Sequence, residues 1–328
     1  MPYLDSFNRP ISYLRISVTD RCNLRCVYCM PPQGIALCPP QEILRYEEIA
    51  LVVRAAAELG ISKVRITGGE PLVRLGIVDL VAMIAAVPGI DDVSMTTNGT
   101  LLTRYADDLA RAGLRRVNVS LDTLREERFR RITRYGRLTD VLAGIEAAQR
   151  AGLRPIKTNM VVLRGLNDDE VVDFARLTLE REWHVRYIEM MPVGQSTIWS
   201  RNGHIPVGEI KGRIEEQLGE LQPARVSVGS GPARYYRLGG AVGTIGFISP
   251  ISEHFCQGCN RLRLTADGRL RPCLLSDEEM DLRTPLRRGA SLEEIRALLA
   301  QGVHIKPQGH RLAEHIVPRG RTMSQIGG

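Results

Sequence analysis

The sequence KVRITGGEP, which runs from Lys63 to Pro71, decides the fold that this chain is expected to adopt. Val64 and Ile66 alternate with polar residues, which is the period of a β-strand, and the glycines that follow end the strand in a turn. A helical pattern of apolar residues precedes this strand over Glu47–Leu59. Because strand and helix alternate in this way along the first two-thirds of the chain, the sequence predicts parallel strands joined by right-handed crossovers.

Six segments have the pattern of strands, and four segments between them have the pattern of helices. The predicted strands are Tyr13–Val18, Lys63–Thr67, Val93–Thr97, Arg115–Ser120, Arg154–Val161 and His184–Glu189. The predicted helices are Glu47–Leu59, Thr103–Ala112, Thr139–Ala151 and Asp168–Leu179. Six such units predict an α/β fold, an open, partial (β/α)6 TIM-like barrel, with a doubly wound sheet as the alternative.

The pattern changes after about Pro206. A helix is predicted near Glu209–Leu218, followed by short strands at Ala233–Leu238 and Val242–Ile248 and a helix at Leu292–Ala300. We therefore predict two regions, a partial barrel in residues 1–205 and a C-terminal α+β extension in residues 206–328.

The composition is that of an ordinary globular protein. The chain has 328 residues, 44% of them hydrophobic and 25% charged, which excludes a mainly disordered chain, a collagen-like fibre and a disulfide miniprotein. The longest apolar stretch, Gly76–Ile90, is too short to span a bilayer, and the N-terminus lacks a secretory pattern, so we expect a soluble, cytoplasmic protein without a membrane partner. The net charge of +7 comes almost entirely from arginine, whose planar fork suits phosphates and carboxylates.

Six of the seven cysteines fall into two groups of three. The groups are Cys22, Cys26 and Cys29, with spacing C-x3-C-x2-C, and Cys256, Cys259 and Cys273, with spacing C-x2-C-x13-C. An odd number of cysteines in a cytosolic protein argues against a disulfide framework. The seventh, Cys38, is expected to be a small buried residue without a chemical role.

Three thiolates within eight residues point to a metal centre, because thiolates select zinc or iron–sulfur clusters. Structural zinc needs four ligands, and neither a histidine nor a fourth cysteine lies near the first group. A four-iron cluster held by three cysteines leaves one iron open to a small molecule. The second group is ambiguous by itself, since His254 would complete a zinc site, but beside the first group it favours a second three-cysteine cluster.

Polar residues occupy one face of strands that should be covered on both sides. Four of them are cations: Arg15, Arg65, Lys157 and Arg186. Burying four unpaired cations inside a barrel would be prohibitive, so we expect a bound polyanion with phosphates or carboxylates there. Three acids offer partial neutralisation: Glu70, Asp122 and Glu189. Arg261 and Arg263 alternate in the same way beside the second cysteine group.

Several motifs resemble those of radical S-adenosylmethionine enzymes. The first cysteine spacing, with Tyr28 before the last cysteine, and the GGEP turn at 68–71 resemble two motifs of that family. The sequences TDRCNLRC at 19–26, RITGGEPL at 65–72, VNVSLD at 117–122, FCxxCNRxRL at 255–264 and the terminal Gly327-Gly328 resemble, more narrowly, its branch that acts on GTP in molybdenum cofactor biosynthesis. These motifs extend over the whole chain.

The resemblance implies a partial (β/α)6 barrel with a second cluster in the C-terminal extension. It implies two [4Fe-4S] clusters, held by Cys22, Cys26 and Cys29 and by Cys256, Cys259 and Cys273. It implies S-adenosylmethionine contacts at Tyr28, Gly69, Ser120 and Met191. It implies GTP contacts at Arg15, Arg65, Thr96, Lys157, Arg261 and Arg263. Further phosphate contacts are expected at Lys63 and Arg186, and a contribution of the tail to the site at Gly327 and Gly328.

The implied reaction converts GTP to 3′,8-cyclo-7,8-dihydro-GTP. A donor such as flavodoxin or ferredoxin supplies an electron, S-adenosylmethionine is cleaved to a 5′-deoxyadenosyl radical, and this radical takes the hydrogen from C3′ of the ribose. The cofactor does the difficult chemistry, and the protein positions and shields it. The resemblance also implies a homodimer and a separate pterin synthase that takes the product.

Two other classes of protein remain open from the sequence. A radical S-adenosylmethionine enzyme that modifies peptides would explain the first cysteine group, but it predicts more cysteines downstream and no need for convergent cations. A zinc protein that binds nucleic acid would explain the pI of 9.2. The basic residues form neither a run nor a helical stripe, and only 5% of the residues are aromatic, so we expect no nucleic-acid partner.

Overall fold

The computed structural model describes residues 2–193, 203–226, 231–314 and 316–327. The strands are β1 (Tyr3–Leu4), β2 (Pro10–Ile11), β3 (Tyr13–Ser17), β4 (Lys63–Thr67), β5 (Asp92–Thr97), β6 (Arg116–Ser120), β7 (Ile156–Val162), β8 (Trp183–Glu189), β9 (Gln222–Pro223), β10 (Arg234–Arg237), β11 (Thr244–Ile248), β12 (Arg261–Leu264), β13 (Arg269–Arg271) and β14 (Met280–Asp281). The α-helices are α1 (Tyr46–Glu58), α2 (Ile77–Ala85), α3 (Leu102–Arg111), α4 (Glu126–Thr133), α5 (Leu138–Arg150), α6 (Val171–Glu180), α7 (Val207–Leu218), α8 (Arg283–Arg287), α9 (Leu292–His304) and α10 (Met323–Ile326).

Six parallel strands, β3 to β8, lie side by side in chain order and form the predicted partial barrel. The register pairs Leu14 with Val64 and Ile16 with Ile66, and all four of these side chains are fully buried in the core. The apolar members of the alternating strands therefore pack under the helices, and the polar members are left for the barrel interior. The prediction of an open six-unit barrel is confirmed.

The C-terminal extension adds strands to both edges of this barrel. Strand β11 pairs in parallel with β8, and β12 pairs in parallel with β3. Strands β10 and β9 continue one edge, and β13 and β14 continue the other. Within the described ranges no strand pairing joins β9 to β14, so the sheet stays open. Residues 249–260 lead from one edge to the other and carry Cys256 and Cys259, whereas Cys273 follows β13. The division of the chain at residue 205 stays a prediction.

Two helices of the barrel were missed from the sequence, for opposite reasons, and the short helices α8 and α10 of the extension were missed as well. In α2 the apolar residues predominate, and Ile77, Leu80, Val81 and Ile84 are buried, so no polar face marks a helical period. Helix α4 is dominated by charged residues, and few of its side chains are buried. The predicted helices and strands of the barrel agree with the observed bounds to within a few residues. No helix in the described part of the chain is long and apolar enough to cross a membrane.

Candidate functional site: two adjoining cysteine-lined cavities

Two cavities inside the barrel each contain one group of cysteines. The first cavity is lined by Cys22, Cys26 and Cys29 together with the ends of the barrel strands. The second cavity is lined by Cys256, Cys259 and Cys273 together with arginines of the barrel interior. The two cavities adjoin, because Asn159, Ile188 and Met191 line both. A ligand in one cavity would therefore meet a ligand in the other at these three residues.

The loop that carries the first cysteine group is shaped mainly by its own backbone. The amides of Cys29 and Met30 both donate to the carbonyl of Cys26, at 2.9 and 3.1 Å. The amides of Arg25 and Val27 donate to carbonyls at the end of α4, each at 2.9 Å. Local hydrogen bonds and the end of α4 thus hold this short stretch in its turn.

The glycines of the GGEP turn are required by this loop. A Cβ atom at Gly69 would lie 2.4 Å from the carbonyl oxygen of Arg21, and one at Gly68 would lie 2.5 Å from that of Thr19. The amide of Gly69 donates to the same Thr19 oxygen at 2.7 Å. The glycines therefore let the end of β4 pack directly against the backbone that precedes Cys22.

The side chains of the first group suit an iron centre. Burial raises the pKa of the Cys22 thiol to about 11 and that of the Cys29 thiol to about 12. Burial also raises the pKa of Cys26, and Asp122 nearby adds to this effect. Thiolates in such a place need a compensating positive charge, which metal ions supply.

Tyr28 and Asp122 form a buried pair beside the first cysteine group. The Tyr28 hydroxyl donates to Asp122 Oδ2 at 2.7 Å, and the amide of Val161 donates to Oδ1 at 2.9 Å. Burial raises the pKa of Asp122 to about 6, although these two hydrogen bonds oppose the shift. Asp122 therefore links the cysteine loop to the end of β7.

Glu70 and Glu189 also serve the framework, not the interior cations. Glu70 accepts hydrogen bonds from Thr97 Oγ1 at 2.8 Å and from the amide of Asn98 at 2.6 Å, and burial raises its pKa to about 7. Glu189 accepts from the amides of Ile251 and Ser252 at 3.1 and 3.0 Å. We expected Glu70, Asp122 and Glu189 to neutralise the interior cations in part. Their hydrogen bonds instead go to backbone amides and to hydroxyl groups.

The second cysteine group is assembled from separate parts of the chain. Cys256 and Cys259 lie on the connection between β11 and β12, where the amide of Cys259 donates to the Cys256 carbonyl at 3.1 Å, and Cys273 follows β13. Burial alone would raise the pKa of Cys259, but the charges of Arg261 and Lys306 outweigh it and lower the pKa to about 6. This site is therefore electropositive.

The zinc alternative for the second group finds no support in the geometry. His254 packs edge-to-face on His310, with ring centroids 5.6 Å apart. Across the described ranges no three cysteine, histidine or acidic side chains converge closely enough to hold one metal ion.

The predicted interior cations lie in and around the second cavity. Its lining includes Arg15, Arg65, Arg186, Arg261 and Arg263. Lys157 lies on β7 two residues before Asn159, and it is 2% exposed. Burial, followed by the charges of Arg186, Arg116 and Arg65, lowers the pKa of Lys157 to about 6. Lys63 begins β4, is half-buried, and is not among the residues that line either cavity. An anionic ligand would stabilise this concentration of positive charge.

Thr96 lies apart from this set, because it lines the first cavity and not the second. Its hydroxyl is buried without a hydrogen-bond partner, as are Asn159 Oδ1, which faces both cavities, and the hydroxyl of Tyr13 in the second. Buried polar atoms are nearly always satisfied, so these three fit a polar ligand. Tyr13 and Asn159 were not among the predicted site residues, although their alternation on β3 and β7 placed them on the interior face.

The four residues expected to contact S-adenosylmethionine lie together. Tyr28, Gly69, Ser120 and Met191 all line the first cavity. Met191 also reaches the second cavity, so it stands at the junction. Their roles stay predictions, but their convergence from four different loops and strand ends is what a single ligand would require.

The C-terminal tail lies inside the barrel mouth. The carbonyl of Gly327 accepts from Arg263 Nη1 at 2.6 Å, and a Cβ atom at Gly327 would lie 2.5 Å from Thr67 Cγ2. Met323 and Ser324 line the first cavity. The tail therefore contacts both halves of the site. Gly328, the other expected tail residue, lies outside the described residues.

Ionic contacts fasten this tail to the turns around β13. Arg321 donates to both carboxylate oxygens of Asp267, at 3.0 and 2.9 Å, and to both of Glu279, at 2.5 and 2.8 Å. Asp277 accepts from the amides of Arg319 and Gly320 at 2.9 and 3.1 Å. The strand that these turns flank leads to Cys273, so the tail and the second cysteine group share one support.

Cys38 differs from its expected burial. It is only partly buried, its amide donates to Asp20 Oδ2 at 2.6 Å, and its sulfur lies 4.0 Å from Glu42 Oε2. Burial raises the pKa of its thiol, and nearby carboxylates add to this effect. Its backbone contact helps to fix the loop after the first cysteine group, and no chemical role follows.

This fold and this site define a radical S-adenosylmethionine protein. The sequence profile described as Radical SAM superfamily matches residues 16–178, and the profile described as Molybdenum Cofactor Synthesis C matches residues 183–312. The chain is 55% identical to the GTP 3′,8-cyclase of Pelotomaculum thermopropionicum, over 99% of both chains. It is 56% identical to the GTP 3′,8-cyclase of Heliobacterium modesticaldum, over 99% of this chain and 100% of that one. The chain therefore belongs to the GTP 3′,8-cyclase family of radical S-adenosylmethionine proteins.

Solved structures with a similar fold include SuiB from Streptococcus suis. SuiB alone aligns with a TM-score of 0.63 at 14% identity, over 89% of this chain and 69% of that chain. SuiB bound to S-adenosylmethionine aligns with a TM-score of 0.61 at 14% identity, over 87% of this chain and 67% of that chain. At this identity the likeness shows the fold alone.

Proposed function

We propose that this chain is a radical S-adenosylmethionine GTP 3′,8-cyclase, a lyase that converts GTP to 3′,8-cyclo-7,8-dihydro-GTP in the first step of molybdenum cofactor biosynthesis. The observation that carries the proposal is the junction of the two cavities at Asn159, Ile188 and Met191. It lets a radical precursor in the first cavity meet an anionic nucleotide in the second. The 55% identity to proteins named for this reaction supports the assignment.

The first cavity is proposed to hold a [4Fe-4S] cluster on Cys22, Cys26 and Cys29, with S-adenosylmethionine beside it. When bound, this pair supplies the 5′-deoxyadenosyl radical after one electron is delivered. The chain contributes shape and charge. Tyr28, which donates to Asp122, and Gly69, which packs on Arg21, hold the loop closed around the ligand, while Ser120 and Met191 line the opposite side.

The second cavity is proposed to hold GTP beside a second [4Fe-4S] cluster on Cys256, Cys259 and Cys273. The GTP contacts assigned to it are Arg15, Arg65, Lys157, Arg261 and Arg263, with Lys63 and Arg186 on the phosphate side. Thr96 is proposed to contact the nucleotide where it enters the first cavity. Because the fold already fixes these cations, they can neutralise the phosphates without rearranging. Such preorganised charge lowers the activation barrier of the reaction.

The location of the charges also weighs against the two other classes. Arg65, Lys157 and Arg186 are 2 to 7% exposed, so they are out of reach of a nucleic-acid backbone on the surface. A peptide substrate would give no reason for so many buried cations around one cavity.

The partners are part of the same proposal. The reaction needs an electron donor such as flavodoxin or ferredoxin, and its product needs a pterin synthase to take it further. A homodimer and a cytoplasmic location are expected from the family.

The test is turnover of GTP by the anaerobically reconstituted protein with a chemical reductant. With GTP deuterated at C3′, we expect deuterium in the 5′-deoxyadenosine that is formed, together with the 3′,8-cyclised product. Formation of 5′-deoxyadenosine at a rate independent of GTP, and without deuterium, would contradict the proposal.

Arg261→Ala tests the substrate side, with Arg150→Ala as the matched control. Arg150 is exposed in the last turn of α5 and is not among the residues that line either cavity. Arg261 is partly buried, and removing a charge that pairs with phosphate there costs roughly 2 kcal/mol, so GTP affinity should fall by about 30-fold. Both clusters should remain. An unchanged affinity would remove Arg261 from the substrate site.

A further inference from the structure

The second cysteine group is anchored to one short segment of chain that follows α9. Lys306 lies in this segment and is 3% exposed. Its ammonium group donates to the carbonyl of Arg261 at 2.9 Å and to the carbonyl of Pro272 at 2.6 Å. Arg261 is two residues after Cys259, and Pro272 directly precedes Cys273. A single ammonium group thus joins the two chain segments that carry these two cysteines.

Arg9 anchors the remaining cysteine to the same segment. Its Nη1 donates to the carbonyl of Cys256 at 2.8 Å and to that of Gln308 at 2.8 Å, and its Nη2 donates to that of Pro307 at 2.7 Å. Its Nε pairs with Asp5 at 2.6 Å, so its position is fixed from the N-terminal side. Residues 306–308 are therefore the common support of all three cysteines.

Lys306 also brings charge to the cysteines themselves. Its ammonium group contacts the carbonyl directly before Cys273 and the carbonyl two residues after Cys259, so its charge lies close to both cysteines. Hydrogen bonds to ligand sulfur and local charge are two of the main determinants of an iron–sulfur reduction potential. A buried cation stabilises the more negatively charged, reduced state relative to the oxidised one.

We infer that Lys306 is a positioning and charge-compensating residue of the second cysteine site. It fixes the chain segments of Cys259 and Cys273 relative to each other, and its positive charge makes an iron centre bound there electron-poor. An electron-poor open iron is a better acceptor for an electron-rich purine base. This inference rests on the proposed function, since it takes the second group to hold a cluster that meets the nucleotide. Arg9 has the positioning role alone, because its charge is already paired with Asp5.

The experiment uses the full chain with Cys22, Cys26 and Cys29 changed to alanine, so that all bound iron belongs to the second site. Lys306→Gln is introduced into this background. The amide of Gln still donates hydrogen bonds but carries no charge, which separates the charge from the positioning role. Lys211→Gln is the control, because Lys211 lies on α7 with its ammonium group over the Tyr236 ring, outside the second cavity. Iron and sulfide content and the reduction potential followed by electron paramagnetic resonance are the readouts.

We expect the parent and the Lys211→Gln protein to bind about four irons with the same potential. Lys306→Gln should hold a cluster with a more negative potential than that of the parent. Lys306→Met, which also lacks the donors, should hold less than half of the parent's iron.

Each contrary result has a separate meaning. If the parent binds zinc or no cluster, the proposed function fails and the inference fails with it. If the parent binds a cluster whose potential and iron content are the same in Lys306→Gln and Lys306→Met, the inference alone is overturned. If Lys306→Met fails to fold, the potential of Lys306→Gln still decides the charge role.

Discussion

The two cysteine sites of this chain are built in opposite ways. The first lies on one continuous loop of eight residues, closed by backbone hydrogen bonds and by the glycines at the end of β4. The second joins the connection after β11 to the end of β13, and residues near both chain termini support it. The electrostatics differ as well: the pKa of Cys22 is raised to about 11 by burial, whereas nearby cations lower that of Cys259 to about 6.

This difference suits the two proposed ligands. S-adenosylmethionine carries a positive sulfonium, and the first cavity is lined by Asp122 and Glu189 and, among the described residues, by no arginine or lysine. GTP carries several negative charges, and the second cavity presents arginines. A single barrel can therefore offer two ligands of opposite charge adjoining sites, because each cavity has its own charged residues.

The largest expected effect breaks the first site alone. Cys26→Ala should abolish GTP turnover and remove about four of about eight irons. The loop offers only three thiolates, so no other cysteine of the loop can replace the lost ligand. The second site should keep its iron, since no residue of the first loop supports it. Iron analysis and turnover check this. Loss of all iron would mean that the two sites do not form independently.

Gly69→Ala should break the first site through packing. The added methyl would lie 2.4 Å from the Arg21 carbonyl, so the cysteine loop must move. Overpacking of this kind costs about 1 to 3 kcal/mol of unfolding free energy, and we expect the first-site iron to be lost preferentially. Gly212→Ala in α7 is the control, because nothing lies within 4 Å of its added methyl, and it should be neutral or slightly stabilising. Equal effects of the two changes in thermal unfolding would contradict this account.

Arg321→Ala should weaken the link between the two sites. It removes the contacts to Asp267 and Glu279 that hold the tail, so Gly327 should lose its place at Arg263. We expect turnover to fall about tenfold, which corresponds to about 1.4 kcal/mol, with iron content unchanged. Arg319→Ala is the matched control, because the structure ties Arg319 to Asp277 through its backbone amide. Hydrogen exchange of the tail would report its release, and unchanged exchange in Arg321→Ala would exclude this role.

The smallest expected effect is a proton taken up in the second cavity. Lys157 has a pKa lowered to about 6, so at pH 8 it is almost entirely neutral in the free protein. An anionic ligand favours the charged form and raises this pKa, so GTP binding at pH 8 should take up as much as about one proton. Calorimetry in buffers of different ionisation enthalpy measures this uptake. It should be absent in Lys157→Met, and equal uptake in that variant would assign the proton elsewhere.

The sequence was enough to predict the barrel and the first site because both are local. The alternation in β3, β4 and β7 placed Arg15, Arg65 and Lys157 inside, and the cysteine spacing defined a loop. The supports of the second site were not predictable, because Arg9 and Lys306 are distant in sequence from the cysteines they hold. Nothing local marks Arg321 as the residue that fastens the tail. The glycines of the GGEP turn line the first cavity, as expected near a ligand, but their close packing on the backbone of Thr19 and Arg21 was not predictable from the sequence.

We propose that the chain holds two separate clusters, and its metal content distinguishes this from a single cluster beside a structural zinc site. Iron, sulfide and zinc should be measured in the anaerobically reconstituted protein and in Cys273→Ala. The account predicts about eight irons per chain, falling to about four in the variant, without zinc in either. About four irons and one zinc in the unchanged protein would contradict it, because the second group would then be a structural zinc site.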